Sequence, residues 1–304
     1  MQTLKNMAHA PLLCYDLSAM GKKCSNKAKL IIIAASAVLI AIICLICLQR
    51  SDSAESLTIT NLNVGKADSA VIACSGQIGV IDTGTEDSYD RIDSFLKEID
   101  ASGISFLLLT HYDKDHIGSA VKLLENYQID TVYLPDYVSE KALYPPLMEY
   151  LSKKDYAVSV NSITKIKLGD SDIDIIPAED PDSLLENENN RDNDMSLVCM
   201  LSYKGYRFLF TGDIENDRMK QMLKSSYDLS CDWIKIPHHG VYDKKLGDLL
   251  DRSAPSYAVI STSEEKAPEE KMIRLLDERS IKYCCTMNGD VTTRCNGMSV
   301  SCSQ

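Results

Sequence analysis

A run of 19 apolar residues is the feature that most constrains how this chain can fold. Residues 30–48 consist of Leu, Ile, Ala, Val and Cys apart from one polar residue, Ser36. A helix rises about 1.5 Å per residue, so this run is about as long as a bilayer core is thick. A cleaved signal peptide has an apolar region of roughly 7–15 residues followed by small residues, whereas this run ends in Gln49 and Arg50. The run therefore predicts a transmembrane anchor, with a buried core helix as the alternative.

The charges on either side of the run predict its orientation. Five lysines and one acid precede it, whereas two acids, Asp52 and Glu55, follow soon after it. Positively charged flanks stay on the cytoplasmic side of a membrane. We expect a single-pass protein of the cell membrane, with a cytoplasmic tail at 1–29, the anchor at 30–48, a linker at 49–56 and an extracellular C-terminal domain at 57–304.

The C-terminal domain has the pattern of an α/β protein. With 45% apolar and 25% charged residues, the chain has the composition of a globular protein. Short apolar runs typical of strands alternate with longer amphipathic runs typical of helices, ending in a strand, a helix and a strand between 257 and 284. Residues 179–194 are acidic and rich in Asn, which predicts a loop. The alternation, in two similar halves, predicts a layered α/β domain that contains two sheets.

Four of the five histidines lie in two short motifs at the ends of predicted strands. Residues 110–118 read Thr-His-Tyr-Asp-Lys-Asp-His-Ile-Gly, and residues 236–240 read Ile-Pro-His-His-Gly. A third predicted strand ends in Thr-Gly-Asp, at Asp213; the remaining histidine is His9. Strand ends meet at one edge of an α/β sheet, so we expect these motifs to converge there.

The residue types in these motifs are typical of a metal site. His nitrogens and carboxylate oxygens bind zinc at about 2.0–2.2 Å, and a set rich in oxygen also suits manganese. A single Asp after a strand is usually a turn residue, and paired histidines in a loop are usually solvated. Because nearly every His of the chain lies in these loops, we expect metal binding. The lysines next to the motifs are candidate phosphate contacts: Lys66, Lys114, Lys235, Lys244 and Lys245.

The motifs resemble those of the metallo-β-lactamase superfamily. The resemblance is carried by HxDxDHxG at 111–118, TGD at 211–213, HHG at 238–240 and Ile-Asp-Thr-Gly at 81–84. The opening Asn-Val-Gly-Lys-Ala-Asp-Ser at 63–69 and the run 193–197 are similar to the exterior domain of ComEC-type DNA-uptake (competence) proteins. This resemblance implies an αββα sandwich, preceded here by the transmembrane helix, with a metal site at one edge and usually two metal ions.

The resemblance also implies roles for individual residues. His111 and Asp113 would bind one metal, Asp115 and His116 the other, and Asp213 would bridge them. One of His238 and His239 would complete the site. The superfamily's usual His between the first motif and the bridging Asp has no counterpart, so one of residues 192–194 would have to replace it. Asp115 and His238 are the candidates for catalysis, and His238 and His239 are both candidates for metal binding. Asp82 and Asp68 are expected to orient the ligands, and Lys66 and Asn193 to bind substrate.

Hydrolysis is the reaction that such a site performs by default. Two divalent ions, zinc or manganese, would activate a metal-bound hydroxide and polarise the substrate, and no organic cofactor is expected. We expect a phosphodiesterase or nuclease of ComEC-like type, acting on a phosphodiester or nucleic-acid substrate. The alternatives are a small-ester hydrolase (phosphocholine-type esterase, lactonase or thioesterase) and a non-catalytic, metal-stabilised surface module. The net charge of −12 and the lack of a basic stripe oppose a nucleic-acid substrate.

Overall fold

Two β-sheets pack face to face in the computed structural model, which describes residues 31, 33–40, 56–186 and 191–304. The chain divides after Ser51 into two units, and both sheets belong to the second. Within the predicted anchor, residues 31 and 33–40 are helical and exposed, and its other residues lie outside the described part. Among the described residues, no helix has the length and hydropathy that crossing a membrane requires. The anchor therefore stays a prediction.

The first sheet is mixed. Within the described residues it has eight strands: β1 (Leu57–Asn61), β2 (Ala70–Cys74), β3 (Gln77–Ile81), β4 (Ile104–Leu108), β5 (Ile129–Pro135), β6 (Ala157–Val160), β14 (Val291–Cys295) and β15 (Val300–Ser303). Their order is β15-β14-β1-β2-β3-β4-β5-β6, and β3 to β6 are parallel.

The second sheet supplies the other half of the domain. In the same described part it has seven strands: β7 (Thr164–Leu168), β8 (Ser171–Ile176), β9 (Val198–Tyr203), β10 (Tyr206–Phe210), β11 (Trp233–Lys235), β12 (Tyr257–Ile260) and β13 (Lys282–Cys285). Their order is β13-β12-β11-β10-β9-β8-β7, and β10 to β13 are parallel.

Helices cover the outer faces of both sheets. Amphipathic helices with apolar residues three and four apart bury one stripe against a sheet. The first sheet packs against Tyr89–Glu98, Ala120–Asn126 and Tyr144–Leu151, and the second against Asn216–Lys224, Leu246–Ser253 and Glu270–Glu278. Between the sheets, apolar residues of both form one core: Ile59, Ile72 and Phe106 from the first, and Ile173, Phe208 and Trp233 from the second. The expected sandwich of two sheets between helices is confirmed.

Two local predictions were wrong. Residues 179–194 are not simply a loop, because they contain the short helices Pro181–Leu185 and Arg191–Asp194. The side chain of Asp180 accepts a hydrogen bond from the Ser183 amide and caps the first of these, and Pro181 suits its first turn. The second error is that the fold does not close near residue 284: β14 pairs antiparallel with β1, from the opposite end of the domain.

In each sheet, parallel neighbouring strands present their carboxyl ends at one edge. In the first sheet, β3 and β4 pair through Ile81 and Leu108; in the second, β10 and β11 pair through Phe210 and Lys235. The residues that follow these four strands are the ones that carry the motifs.

Candidate metal centre

Asp82 organises the turn after β3. It has a left-handed backbone (φ 59°), which is uncommon outside glycine, and its carboxylate is buried. One oxygen accepts a hydrogen bond from the Thr110 amide at 2.8 Å, and the other accepts from the Thr110 hydroxyl at 2.8 Å and lies 2.8 Å from His116 Nδ1. A ring N–H that donates to a carboxylate leaves the other nitrogen free for a metal. Asp82 therefore aims His116 Nε2 into the site.

The turn after β4 contains the motif 110–118. A short helix, Lys114–Ile117, begins there, and the amides of His116 and Ile117 donate to the Asp113 carbonyl at 2.9 and 3.0 Å. The His116 carbonyl accepts hydrogen bonds from the Thr83 amide at 2.6 Å and the Thr83 hydroxyl at 3.0 Å. These bonds attach the motif to the turn after β3. We call the site formed by the ends of β3, β4, β10 and β11 the strand-end corner.

The turn after β11 presents the paired histidines. His238 (φ 47°) and His239 (φ 54°) are both left-handed, as is Gly240 (φ 80°). The turn buries His239, whose Nδ1 donates to the Ser261 carbonyl at 3.0 Å, whereas the His238 side chain remains 27% exposed. The structure therefore places His239, not His238, among the buried donors.

Three strand ends meet at Asp213. Its Oδ2 lies 3.2 Å from His116 Nε2 and 3.2 Å from His239 Nε2. His239 Nε2 lies 3.5 Å from Asp115 Oδ2. One donor atom from each of four buried residues, Asp68, His116, Asp213 and His239, lies within 4.8 Å of the others. Among the described residues, the motifs thus converge as expected.

Unpaired buried atoms test whether these residues fit a metal. Four buried polar atoms at this corner have no hydrogen-bond partner: His111 Nε2, His116 Nε2, His239 Nε2 and Asp213 Oδ1. A buried polar group without a partner is costly, and native proteins rarely leave several together. A divalent cation accepts electron pairs from all four. The residues therefore fit a metal site.

Opposite charges shift the pKa values at the site strongly. Burial lowers the pKa of His239, but the nearby Asp213 and Asp68 carboxylates outweigh burial and raise it to about 9. Burial also lowers the pKa of His116, but Asp213 and Asp82 outweigh this effect and raise the pKa well above its usual value. Burial favours the protonated form of Asp213, yet the two histidines and Lys235 hold its pKa well below the usual range. Without metal, the site holds protons in the cation's place.

Lys235 enters this corner from the last residue of β11. Its side chain is buried, its ammonium forms an ion pair with Asp68, and it lies 3.5 Å from Asp213 Oδ1. The prediction that Lys235 contacts phosphate is wrong, because its ammonium is buried between the Asp68 and Asp213 carboxylates. The sequence did contain a signal for this pairing, because a Lys within a buried apolar strand needs a carboxylate partner.

Several other candidates lie at the rim or outside the cluster. His111 contributes its unpaired Nε2 beside His116, with the two ring centroids 4.1 Å apart. Asp113 instead forms an ion pair with Lys141 at 2.6 Å. The Asn193 amide donates to Glu215 Oε1 at 2.7 Å, and Glu215 Oε1 is 3.3 Å from His238 Nδ1.

Lys66 is half-buried, and its charge acts on His238. Glu215 was missed by the sequence analysis. Burial raises the pKa of its carboxyl to about 7.

Residues 192 and 194 both hold neighbouring segments in place. Asp192 accepts hydrogen bonds from the Tyr137 and Ser139 hydroxyls. Asp194 Oδ1 accepts from the backbone amides of Glu215 and Arg218 at 2.8 and 3.2 Å, and so caps the helix Asn216–Lys224. The buried Asp194 Oδ2 has no hydrogen-bond partner, so the replacement of the missing histidine by one of residues 192–194 stays a prediction.

Comparison with known proteins agrees with this geometry. A curated relative, ComE operon protein 3 of Bacillus subtilis (strain 168), is 24% identical over 259 residues, which cover 77% of this chain but 32% of that protein. The chain thus spans about a third of the length of the relative it matches.

Solved structures show the same fold at low identity. The metallo-beta-lactamase fold protein YhfI from Bacillus subtilis has a TM-score of 0.51 at 9% identity, covering 82% of this chain and 99% of that one. CmlA, a diiron beta-hydroxylase from Streptomyces venezuelae, has a TM-score of 0.52 at 12% identity, and the match covers 79% of this chain and 54% of that one. The family model described as Metallo-beta-lactamase superfamily matches residues 64–264, which include all four strand ends that form the corner. This chain therefore belongs to the metallo-β-lactamase superfamily.

Proposed function

We propose that this protein is a metal-dependent phosphodiesterase of ComEC-like type, with nucleic acid as its substrate class. The observation that carries the proposal is the set of buried donor atoms without partners at the strand-end corner. The choice of phosphodiesters is supported by the mixed set of carboxylate and histidine donors, which suits zinc and manganese, and by the relation to ComE operon protein 3.

The side chains of the corner have separable roles in this proposal. Asp115, His116, Asp213 and His239 would hold a divalent ion, zinc or manganese, and His111 would serve a second one. When bound, such ions lower the pKa of a bound water and polarise a phosphoryl oxygen. Asp82 and the Ser261 carbonyl hold the two histidine rings in orientation.

His238 and Lys66 face the rim of the corner and would contact the substrate. His238 is partly exposed and is held by Glu215, which Asn193 holds in turn. Asn193 therefore acts on the substrate through Glu215 and His238 in this proposal, and not by direct contact.

The proposal includes the location of the enzyme. Residues 30–48 would anchor it in the cell membrane, with the C-terminal domain outside, because the run is apolar and the lysines precede it. Protease treatment of intact cells is expected to digest the C-terminal domain and to spare an epitope tag at residue 1. Protection of the domain would contradict this orientation.

A small-ester hydrolase is the second candidate, and the charge of the rim favours it. Glu215 and Asp113 flank the corner, and the whole chain has a net charge of −12. Like charges repel a polyanion at long range, whereas a small neutral ester is unaffected.

The test compares substrates and variants side by side. The purified chain, supplied with Mn²⁺ or Zn²⁺, is incubated with a labelled single-stranded oligonucleotide, bis(p-nitrophenyl) phosphate and p-nitrophenyl acetate. We expect cleavage of both phosphodiesters, its loss in Asp115→Ala, and its retention in Asp130→Ala, which changes an exposed Asp at the amino end of β5.

Each of the other outcomes would favour a different function. Cleavage of the small diester alone would indicate that the substrates are small molecules at the cell surface and not nucleic acids. Turnover of the acetate ester alone would favour the second candidate. Stabilisation by metal against heat without turnover of any ester would identify a binding module, and full activity in Asp115→Ala would remove the proposed site.

A further inference from the structure

The two metal positions implied by the fold are unequal in this chain. We assign Asp115, His116, Asp213 and His239 to the first position. Asp213 Oδ2 lies 3.2 Å from His116 Nε2 and 3.2 Å from His239 Nε2, and His239 Nε2 lies 3.5 Å from Asp115 Oδ2. Donors placed about 2.1 Å from a tetrahedral ion lie about 3.4 Å from one another. These three distances are close to that spacing.

The donors of the first position are held there by other groups. His116 Nδ1 is bonded to Asp82, and His239 Nδ1 is bonded to the Ser261 carbonyl. Both bonds leave Nε2 directed at Asp213 Oδ2, which lies 3.2 Å from each ring. Little rearrangement is needed for an ion to bind, so this position is preorganised.

The second position has three buried donor atoms that lack a hydrogen-bond partner among the described residues. They are His111 Nε2, Asp213 Oδ1 and Asp113 Oδ1. Asp213 Oδ1 also lies 3.5 Å from the Lys235 ammonium, a fixed positive charge that opposes a cation beside the same oxygen.

One of these donors already has a cationic partner. Asp113 Oδ1 forms an ion pair with Lys141, whose Nζ lies 2.6 Å away. Asp192 accepts hydrogen bonds from Tyr137 and Ser139, and Asp194 Oδ1 accepts from two backbone amides, whereas the buried Asp194 Oδ2 has no hydrogen-bond partner. An ion at the second position therefore competes with Lys141 for the Asp113 carboxylate.

We propose that this chain binds one divalent ion tightly at the first position, and that the Lys141–Asp113 ion pair keeps the second position weak. Lys141 is thus a positioning residue that withholds a ligand from the metal site. The inference rests on the proposed metal-dependent function, but it concerns the number and affinity of bound ions and not the reaction.

Metal counting by equilibrium dialysis of the purified chain against Mn²⁺ tests the inference without any activity measurement. We expect the unchanged chain to bind one ion tightly and a second at least about tenfold more weakly, the scale on which orientation of a ligand changes affinity. Lys141→Met frees Asp113, so it is expected to strengthen the second site about tenfold and to leave the first unchanged. The Lys141 side chain is 42% exposed, so the variant is expected to fold.

Matched variants separate the two positions. Lys153→Met removes another exposed lysine that is paired with a carboxylate, Glu149 at 2.9 Å, and is expected to leave both affinities unchanged. His239→Ala is expected to remove the tight ion. Two ions of equal affinity in the unchanged chain, or a second affinity that Lys141→Met does not raise, would overturn the inference.

The result also separates this inference from the proposed function. Failure to bind any ion would overturn both. One tight ion with the expected response to Lys141→Met, but no cleavage of any phosphodiester, would support the inference and leave the phosphodiesterase proposal without support.

Discussion

At the scale of single residues, the metal centre depends on side chains that themselves bind no metal in our assignment. Asp82 is the clearest of these, because its two oxygens hold Thr110 and His116 at once. Lys235 is the other, because its ammonium is the partner of the buried Asp68 carboxylate. Replacing either side chain is expected to have an effect different from that of removing a metal ligand.

Asp82→Asn is expected to weaken metal binding without removing a ligand. The amide has the size of the carboxylate but lacks its charge, so it holds the His116 ring less firmly. Loss of such an orienting partner typically weakens metal affinity by about 10–100-fold. Calorimetric titration with Zn²⁺ measures the change, and Asp130→Asn on the exposed face of β5 is the control. An unchanged affinity would show that Asp82 does not orient His116.

Lys235→Met is expected to destabilise the fold more than most single substitutions. It leaves Asp68 buried without its partner, and breaking a buried ion pair in this way costs about 3–5 kcal/mol. Adding Asp68→Asn to this variant removes the stranded charge, so the double variant is expected to lose less than the sum of the two single losses. Urea unfolding of the metal-free chain measures all three. Additive losses would mean that the two side chains do not interact.

At the scale of elements, the short helix Lys114–Ile117 must pack closely against the turn after β3. A Cβ added to Gly118 would lie 2.3 Å from the carbonyl carbon of Thr85 and 2.4 Å from the backbone nitrogen of Glu86. No real Cβ tolerates such an approach to backbone, so this element requires glycine at that position. The glycine of the HxDxDHxG motif therefore sets the distance between two strand ends.

Gly118→Ala is expected to displace the helix that carries His116. Overpacking of this kind destabilises a protein by about 1–3 kcal/mol, and the shift of His116 should weaken metal binding as well. Thermal unfolding and metal titration measure the two effects. Gly103→Ala is the matched control, because its added Cβ meets nothing nearer than the Gln128 carbonyl at 3.5 Å. Equal behaviour of the two variants would contradict close packing at Gly118.

At the scale of the whole molecule, protons and metal compete for the corner, so stability depends on pH. The pKa of His239 is raised from 6.5 to about 9 by Asp213 and Asp68, against the effect of burial. A raised pKa means that the folded state binds the proton more tightly than the unfolded state. This stabilisation is complete below pH 6.5 and is lost as the pH rises through about 9.

The metal-free chain is therefore expected to lose thermal stability between pH 6.5 and 9, in the range that the two pKa values define. With saturating Mn²⁺ the loss should disappear, because the ion takes the place of the proton on Nε2 and binds better as the proton leaves. Melting curves with and without metal across this range measure the effect. A metal-free melting temperature that is constant over the range would contradict the assigned charge of His239.

Much of the architecture follows from local pattern. The alternation of strands and helices was predicted, as were the strand, helix and strand between 257 and 284, because the period of apolar side chains depends on neighbours along the chain. β14 was missed because its partner, β1, lies more than two hundred residues earlier, and its alternation of Thr and Arg with Val and Cys is weakly apolar.

The sequence by itself determined which residue types stand at the strand ends, and with them the kind of ion that these ends could hold. Position after a strand is a local property, so His111, His116, Asp213 and the paired histidines could be expected at one edge before their contacts were known. The tertiary structure alone decided that His239 faces inward, that Asp113 pairs with Lys141 and that Lys235 reaches Asp68. These choices depend on left-handed turns and on partners far apart along the chain, and such contacts exist only once the two sheets have packed together.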